Sequence, residues 1–260
     1  MNERQKEIHE KGFSMGEFAK MKVGSKSLEN AILNLASLKQ LDKTYTNKAE
    51  ILKALSKKDL PTIREISNYF YRTCGIYQRV CNYFAYMYRY DWYVVPEIYD
   101  VDPINEVKTM KEFSKTLTYL DNSNIKKSSM EIARKVIVDG CYYGYAINND
   151  EGIILQDLHP KYCRSRYNIG NRPAIEFNLK FFDDKFSDIQ YRLRVLKLFP
   201  PEFAKAYVMW KEKKLKPDYQ GDEESWYLLD PECTVKFSMG NSDFPIFINA
   251  IPAILDLEAA

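Results

Sequence analysis

Residues Ile66–Pro96 read ISNYFYRTCGIYQRVCNYFAYMYRYDWYVVP, a run dense in tyrosine and punctuated by Arg72, Arg79 and Arg89. A membrane span is excluded first. Arg72 and Arg79 would sit in mid-bilayer, and no window of about 18 residues in the run is free of charge. Sorted by heptad phase from Ile63, one phase holds Ile63, Phe70, Tyr77 and Phe84, and the phase three residues on holds Ile66, Thr73, Val80 and Met87. Ser67, Cys74, Cys81 and Tyr88 flank them on one side, and Tyr69, Ile76, Tyr83 and Tyr90 on the other. Asp59-Leu60-Pro61 supplies a start signal, Asp at the N-cap and Pro in the first turn. The pattern predicts one long helix buried over a wide arc, with several packing partners and a narrow polar stripe that carries Arg72 and Arg79.

Working outward, the residues before this helix are rich in Lys and Glu, and the first two dozen read as a mobile arm. Leu28, Ala31, Ile32, Leu35 and Leu38 predict an amphipathic helix over Ser27–Leu41, and Asn47–Ser56 a second. After it, Asp91–Tyr99 has strand composition, with Pro96 suited to an edge or an end. Helices are expected over Pro103–Tyr119 and over Ser128–Asp139, the latter with a capping start at Ser128-Ser129-Met130-Glu131. Gly140 opens a β-rich region: CYYGYAIN and IILQDL flank the turn NDEG, and Lys161–Tyr167 and Ala174–Phe182 flank NIGNRP. Helices follow near Asp188–Leu196 and Pro201–Lys213, then strands at Trp226–Leu229 and Thr234–Ser238. From Ile251 helical spacing resumes and runs to the last residue without a breaker, which predicts a protein longer than this chain. The fold class is α+β: long N-terminal helices packed on an antiparallel β region.

Composition narrows the chemistry. Lys+Arg 38 against Asp+Glu 36 leaves a net charge of +2, so nothing global marks a polyanion binder. The five cysteines are odd in number and contain no CxxC, as suits a reducing compartment, and Cys74 and Cys81 read as small buried residues. With two histidines, one in the arm (His9) and one in a turn (His159), His triads and zinc sites lack ligands; no metal or cofactor is expected. GSKS at Gly24–Ser27 lacks both the spacing and the preceding strand of a phosphate loop, and GxSxG, HExxH and GxGxxG do not occur. Of the acidic groups Asp183-Asp184, Asp222-Glu223-Glu224 and Asp256/Glu258, the first two lie in turns or linkers and read as solvated charges. Two basic features stay open between nucleic acid and a neighbouring subunit. Arg164 and Arg166 of CRSRYNIGNR lie with Tyr162, Tyr167 and Arg172 around a hairpin, and Arg72 and Arg79 lie on the long helix.

The order of segments carries more than any one residue. A polar arm leads to a helix ending YRYDWYVVP, then DGCYYGY, LQDLHPKYCRSRY, RPAIEFNLKFFD, FPPEFAKAY, WYLLDPECTVKFSM and SDFPIFINAIPAILDLEAA. Over most of residues 55–260 this succession resembles the N-terminal half of a tailed-bacteriophage portal protein. The resemblance implies a virion protein of the capsid vertex, assembled in the host cytoplasm and without enzymatic activity of its own. Such proteins are homo-oligomeric rings, typically of twelve subunits. Double-stranded DNA passes through the ring, driven by a separate terminase, and the ring joins capsid and tail adaptor proteins. It further implies an arm at 1–57, a wing-like domain at 58–250 and the start of a stem-type helix at 251–260, with clip and crown outside this chain. The residues alone leave two other readings: a metal-dependent nucleic-acid-processing enzyme with scattered carboxylates, or a nucleic-acid-binding module built on the CRSRY hairpin.

Overall fold

The computed structural model describes residue 45 and residues 47–90, 93–95, 103–149, 152–215, 224–239 and 243–259. The helix expected at Ser27–Leu41 lies outside the described residues, as does most of the strand expected at Asp91–Tyr99; the described Tyr93–Val95 form no strand. Helices and small antiparallel sheets confirm the α+β class. No helix among the described residues is long and apolar enough to cross a membrane. The chain divides into two compact units: a helical one (Tyr45–Cys141, Asn148–Ile153, Phe237–Ala260) and a β-rich one that includes Tyr142–Ile147 and Ile154–Lys236.

In the helical unit, α1 (Lys48–Lys57) begins where the Asn47 side chain accepts a hydrogen bond from the Ala49 amide, and it ends on Lys58 in the left-handed region (φ 53°). α2 (Leu60–Thr73) starts at the Asp59–Pro61 signal, with Asp59 accepting bonds from the Thr62 amide and hydroxyl. It stops at Cys74, whose backbone is extended (φ −104°, ψ 111°), and α3 (Gly75–Tyr90) begins at the next residue. The single long helix expected from the heptad phases is therefore two. Thr73-Cys74-Gly75 is the weakest helix-forming step in the run, and a break there lets the two halves take different directions. α2 buries Ile63, Ile66, Ser67 and Phe70, whereas α3 buries only a stripe of Tyr77, Cys81 and Ala85 among its described side chains. The wide buried arc expected for the whole run does not extend to α3.

α4 (Pro103–Asn122) and α5 (Ile125–Asp139) follow. α5 starts three residues before the expected Ser128 cap: Asn124 is left-handed (φ 49°), and Ser129 bonds back to the Ile125 carbonyl inside the helix. The far end of α5 is fully accounted for. Its last four carbonyls, which have no partner within a helix, are met by the Gly140 amide (Val136 O, 2.9 Å), the Ile246 amide (Ile137 O, 3.1 Å), the Ser67 hydroxyl (Val138 O, 2.6 Å) and the Arg64 Nε (Asp139 O, 2.8 Å). Ser67 also bonds Tyr77 Oη at 2.9 Å, and Asn68 donates to the Asp139 carboxylate at 2.5 Å. Around this joint Ile51, Ile63, Ile66, Phe70, Tyr77, Cys81 and Ile137 form one core with Ile248, Ile251 and Ile254, the last two from α9 (Ile251–Ala259).

The β-rich unit is held by rings. β1 (Cys141–Asn149) lies between β2 (Gly152–Leu158) and β8 (Thr234–Ser238). A second sheet runs in the order β3 (Cys163–Arg164), β6 (Glu176–Asn178), β7 (Trp226–Leu228), all antiparallel, with Cys163 opposite Phe177 and Phe177 opposite Tyr227. β4 (Asn168–Ile169) and β5 (Arg172–Pro173) form a small ribbon between them in sequence. The strand expected over Ala174–Phe182 ends at Asn178. There the Asn178 side chain accepts the Lys180 amide, and a short helix, α6 (Lys180–Lys185), turns Phe181 and Phe182 inward. α7 (Ile189–Leu198), capped by Asp188, and α8 (Pro201–Lys211) lie where the sequence places them. Phe177, Phe181, Phe182, Phe199 and Phe203 meet mostly edge to face, with centroids from 5.1 Å (Phe182–Phe199) to 6.0 Å (Phe177–Phe182). All five cysteines are free, and four are buried, Cys74 and Cys81 among them.

Two expectations follow for the end of α5. A Cβ on Gly140 (φ +82°) would lie 2.1 Å from the Asp243 carbonyl oxygen, with backbone on both sides of the contact. Gly140→Ala should lower stability by more than about 2 kcal/mol. Gly170→Ala, at φ +60° with open space, should cost only about 1 kcal/mol. Urea-unfolding midpoints measure both, and equal losses would refute the backbone clash. Burial holds the Asp139 carboxyl above its usual range despite the Asn68 hydrogen bond and the basic neighbours Lys135, Arg64 and Arg134. A raised folded value means that this group favours folding at low pH and that the contribution is lost as pH rises through that value. Asp139→Asn should therefore stabilise the protein at neutral pH, with the gain shrinking towards the ordinary carboxyl range near ~4. A gain that instead grew on acidification would contradict this.

Candidate functional site

Two surfaces hold the residues that the sequence singles out. The first lies in the β-rich unit around Glu176. This residue is 1% exposed, on β6 between the fully buried Ile175 and Phe177. Register places it opposite Arg164 on β3 and Leu228 on β7. Its carboxylate accepts Arg164 Nε at short range and Arg166 Nη2 at 2.9 and 3.1 Å. The Arg164 guanidinium also lies over the Trp226 ring, 3.9 Å from its centroid. The structure thus brings Arg164 and Arg166 together, but around a buried acid that neutralises one of their two charges and fixes the planes of both. The sequence reading missed Glu176 and Trp226. Its available signal was a lone carboxylate within the apolar run Ala174-Ile175-Glu176-Phe177, beside a strand carrying Arg-Ser-Arg.

The second surface lies in the helical unit. Arg72 is exposed in the last turn of α2, and Arg79 is exposed on α3. Around Arg79 the face of α3 is apolar and uncovered: Ile76 is 59% exposed and Tyr83 67%, with Val80, Phe84 and Met87 also in the exposed class. Phe84 touches Phe247 at 5.2 Å, which marks the edge of this face. Its width decides how it is read. A lone exposed apolar residue is ordinary, but a contiguous stripe along a whole helix is the mark of an interaction surface.

Other polar groupings are structural. Asp183 accepts from Tyr207 Oη (2.7 Å) and pairs with Lys211 (2.5 Å) and Arg192 (2.6 Å). Burial pushes its carboxyl up, but Lys211, Tyr207 and Arg192 outweigh that and hold it below the ordinary carboxylate range. Glu202, at the start of α8, accepts from Tyr145 Oη (2.7 Å) and the Asp230 amide (3.0 Å), while burial pushes it up. His159 accepts the Lys161 amide before a 3-10 turn, as a turn histidine does. A groove of about 500 Å³ is lined by Leu55, Lys58, Met239, Phe244 and Ile248 among others. Among the described residues no three His, Cys, Asp or Glu side chains are grouped so as to hold a metal ion.

Comparison of the chain with known protein families, curated proteins and solved structures gives no match.

The Glu176 cluster makes a prediction of its own. Glu176→Gln leaves two guanidiniums against a neutral amide in a half-buried site and should cost about 2 kcal/mol. Arg164→Ala should cost more than Arg166→Ala, because Arg164 also loses its stack on Trp226. Thermal unfolding of the three variants checks the order, and a neutral Glu176→Gln would remove the cluster's structural role.

Proposed function

We propose that the chain is a structural subunit of a tailed-bacteriophage portal, the ring at a capsid vertex through which double-stranded DNA is packaged and ejected, and that it has no enzymatic activity of its own. The observation that carries this reading is the uncovered apolar face of α3 in the helical unit. A surface of that length on a folded chain favours permanent burial against protein. The succession of sequence segments from the aromatic helices to DFPIFINAIPAILDLEAA supports the same conclusion, as does the α+β class. On this reading residues 58–250 belong to the wing, and α9 is the start of the stem-type helix. The partners are further copies of the chain in a ring, typically of twelve, together with terminase, capsid and tail adaptor proteins. Arg72 and Arg79 then meet acidic groups of a neighbour or the DNA backbone, while Arg164 and Arg166 serve mainly to tie down the hairpin.

Electron microscopy of the purified protein tests the proposal. Rings of cyclic symmetry with a central channel are expected. Dispersed particles, combined with divalent-metal-dependent cleavage of DNA that is lost on substituting a carboxylate, would replace it with the nucleic-acid-processing reading.

A further inference from the structure

The helical unit presents a second uncovered stripe. On α4, Val107 is 76% exposed, and Met110 and Leu117 are also in the exposed class, whereas Phe113 and Leu120 are half-buried. With Ser114 and Asp121 these exposed residues recur at 3, 4, 3 and 4 positions, the a/d seam of a coiled coil. The exposed residues of α3, Ile76, Val80, Tyr83 and Met87, recur at 4, 3 and 4. We propose that the two seams are halves of one contact, α3 of one copy packing antiparallel on α4 of a second copy of this chain.

Register and chemistry both select this arrangement. Run antiparallel, the layers are Ile76 with Asp121, Val80 with Leu117, Tyr83 with Ser114 and Met87 with Met110. Each a position then meets a d position. The bulkiest side chain of the α3 seam falls opposite the smallest of the α4 seam, which is how facing layers interdigitate. The antiparallel direction also brings the exposed Arg79 within a turn of the exposed Asp121. Run parallel, Tyr83 would face Leu117 and Val80 would face Ser114, giving up the large–small fit. Pairing α3 with α3 is disfavoured by charge, because α3 carries Arg79 and Arg89 and no carboxylate. A contact between different patches is heterologous. After one contact the pair keeps one free seam of each kind, so association continues until a ring closes. The contact deepens the portal reading and rests on it for the identity of the occupant.

Sedimentation velocity of the 260-residue chain over a concentration series tests it. The wild type should self-associate, and Val80→Asp and Leu117→Asp should each weaken association by about tenfold or more. Both substitutions are at exposed positions, so unchanged far-UV circular dichroism and unfolding midpoints are expected. An equimolar mixture of the two variants should associate again and stop at a heterodimer, because only the intact α3 of one and the intact α4 of the other can meet. A wild type that stays monomeric throughout, or a mixture no more associated than either variant alone, overturns the contact. Rings that form equally well in both variants sink the α3–α4 contact and leave the portal reading standing. A seam-dependent dimer without rings does the reverse.

Discussion

The C-terminal end of α5 is the constraint on which the helical unit depends. A helix that ends inside a protein leaves four carbonyls to be satisfied, and each one unmet costs on the order of 1–3 kcal/mol. Here every one has a donor, and the donors come from three separate stretches: α2 (Arg64 and Ser67), the Gly140 turn, and Ile246 ahead of α9. The joint therefore fixes more than α5. It sets the position of α2, because Arg64, Ser67 and Asn68 occupy successive turns of one face. It sets the position of the chain at Asp243–Phe244, because only a glycine at residue 140 admits that backbone. Ser67 extends the joint to Tyr77 and so to α3, which explains why α3 is anchored along one narrow stripe.

The β-rich unit depends on a different balance. Its strands are short, two or three residues in the second sheet, too few to be stable on ladder hydrogen bonds alone. The phenylalanine cluster supplies the apolar burial, and the Glu176 cluster fixes register. A carboxylate at a buried strand position tolerates no slip, since a shift by one residue would turn it to the opposite face and strand Arg164 and Arg166 without their acid. Cation and stack act together here: Trp226 on β7 holds the guanidinium that Glu176 on β6 neutralises, so three strands are tied by one network.

Most helices were legible because their signals are local. Asp59-Leu60-Pro61, Asp188 and Pro201 mark starts by capping chemistry that needs no tertiary partner, and each is found at a helix start. The Gly140 boundary was legible for the same reason. The break at Cys74 was not, because heptad phase counts residues and continues unchanged across a residue that has left the helix. A change of backbone dihedral, not of periodicity, ends α2: the Cys74 amide is still bonded to Phe70 while its own ψ turns extended. The strand expected at Ala174–Phe182 failed at Asn178 because Phe181 and Phe182 have strand composition, yet they are drawn into a helix by the aromatic core. The lone carboxylate in an apolar run marks Glu176 in the sequence, but its partner Arg164 follows only from cross-strand register.

That missed break changes the meaning of the tyrosine-rich run. As one buried helix its rings would all belong to a core and its arginines to a thin solvated stripe. As two helices, the first is core and the second is largely surface, with aliphatic and aromatic side chains facing outward around Arg79. A phosphate-binding surface needs several uncompensated cations, and Glu176 leaves the two hairpin arginines a net charge of one. What the helical unit offers to another macromolecule is mainly apolar area. Its removal from water is worth roughly 25 cal/mol per Å² and has no direction of its own. Direction must come from the spacing of the side chains and from a few charges at the rim. α3 and α4 have both, in matching register, and a chain whose two uncovered seams fit one another has no need of a foreign partner to begin assembling.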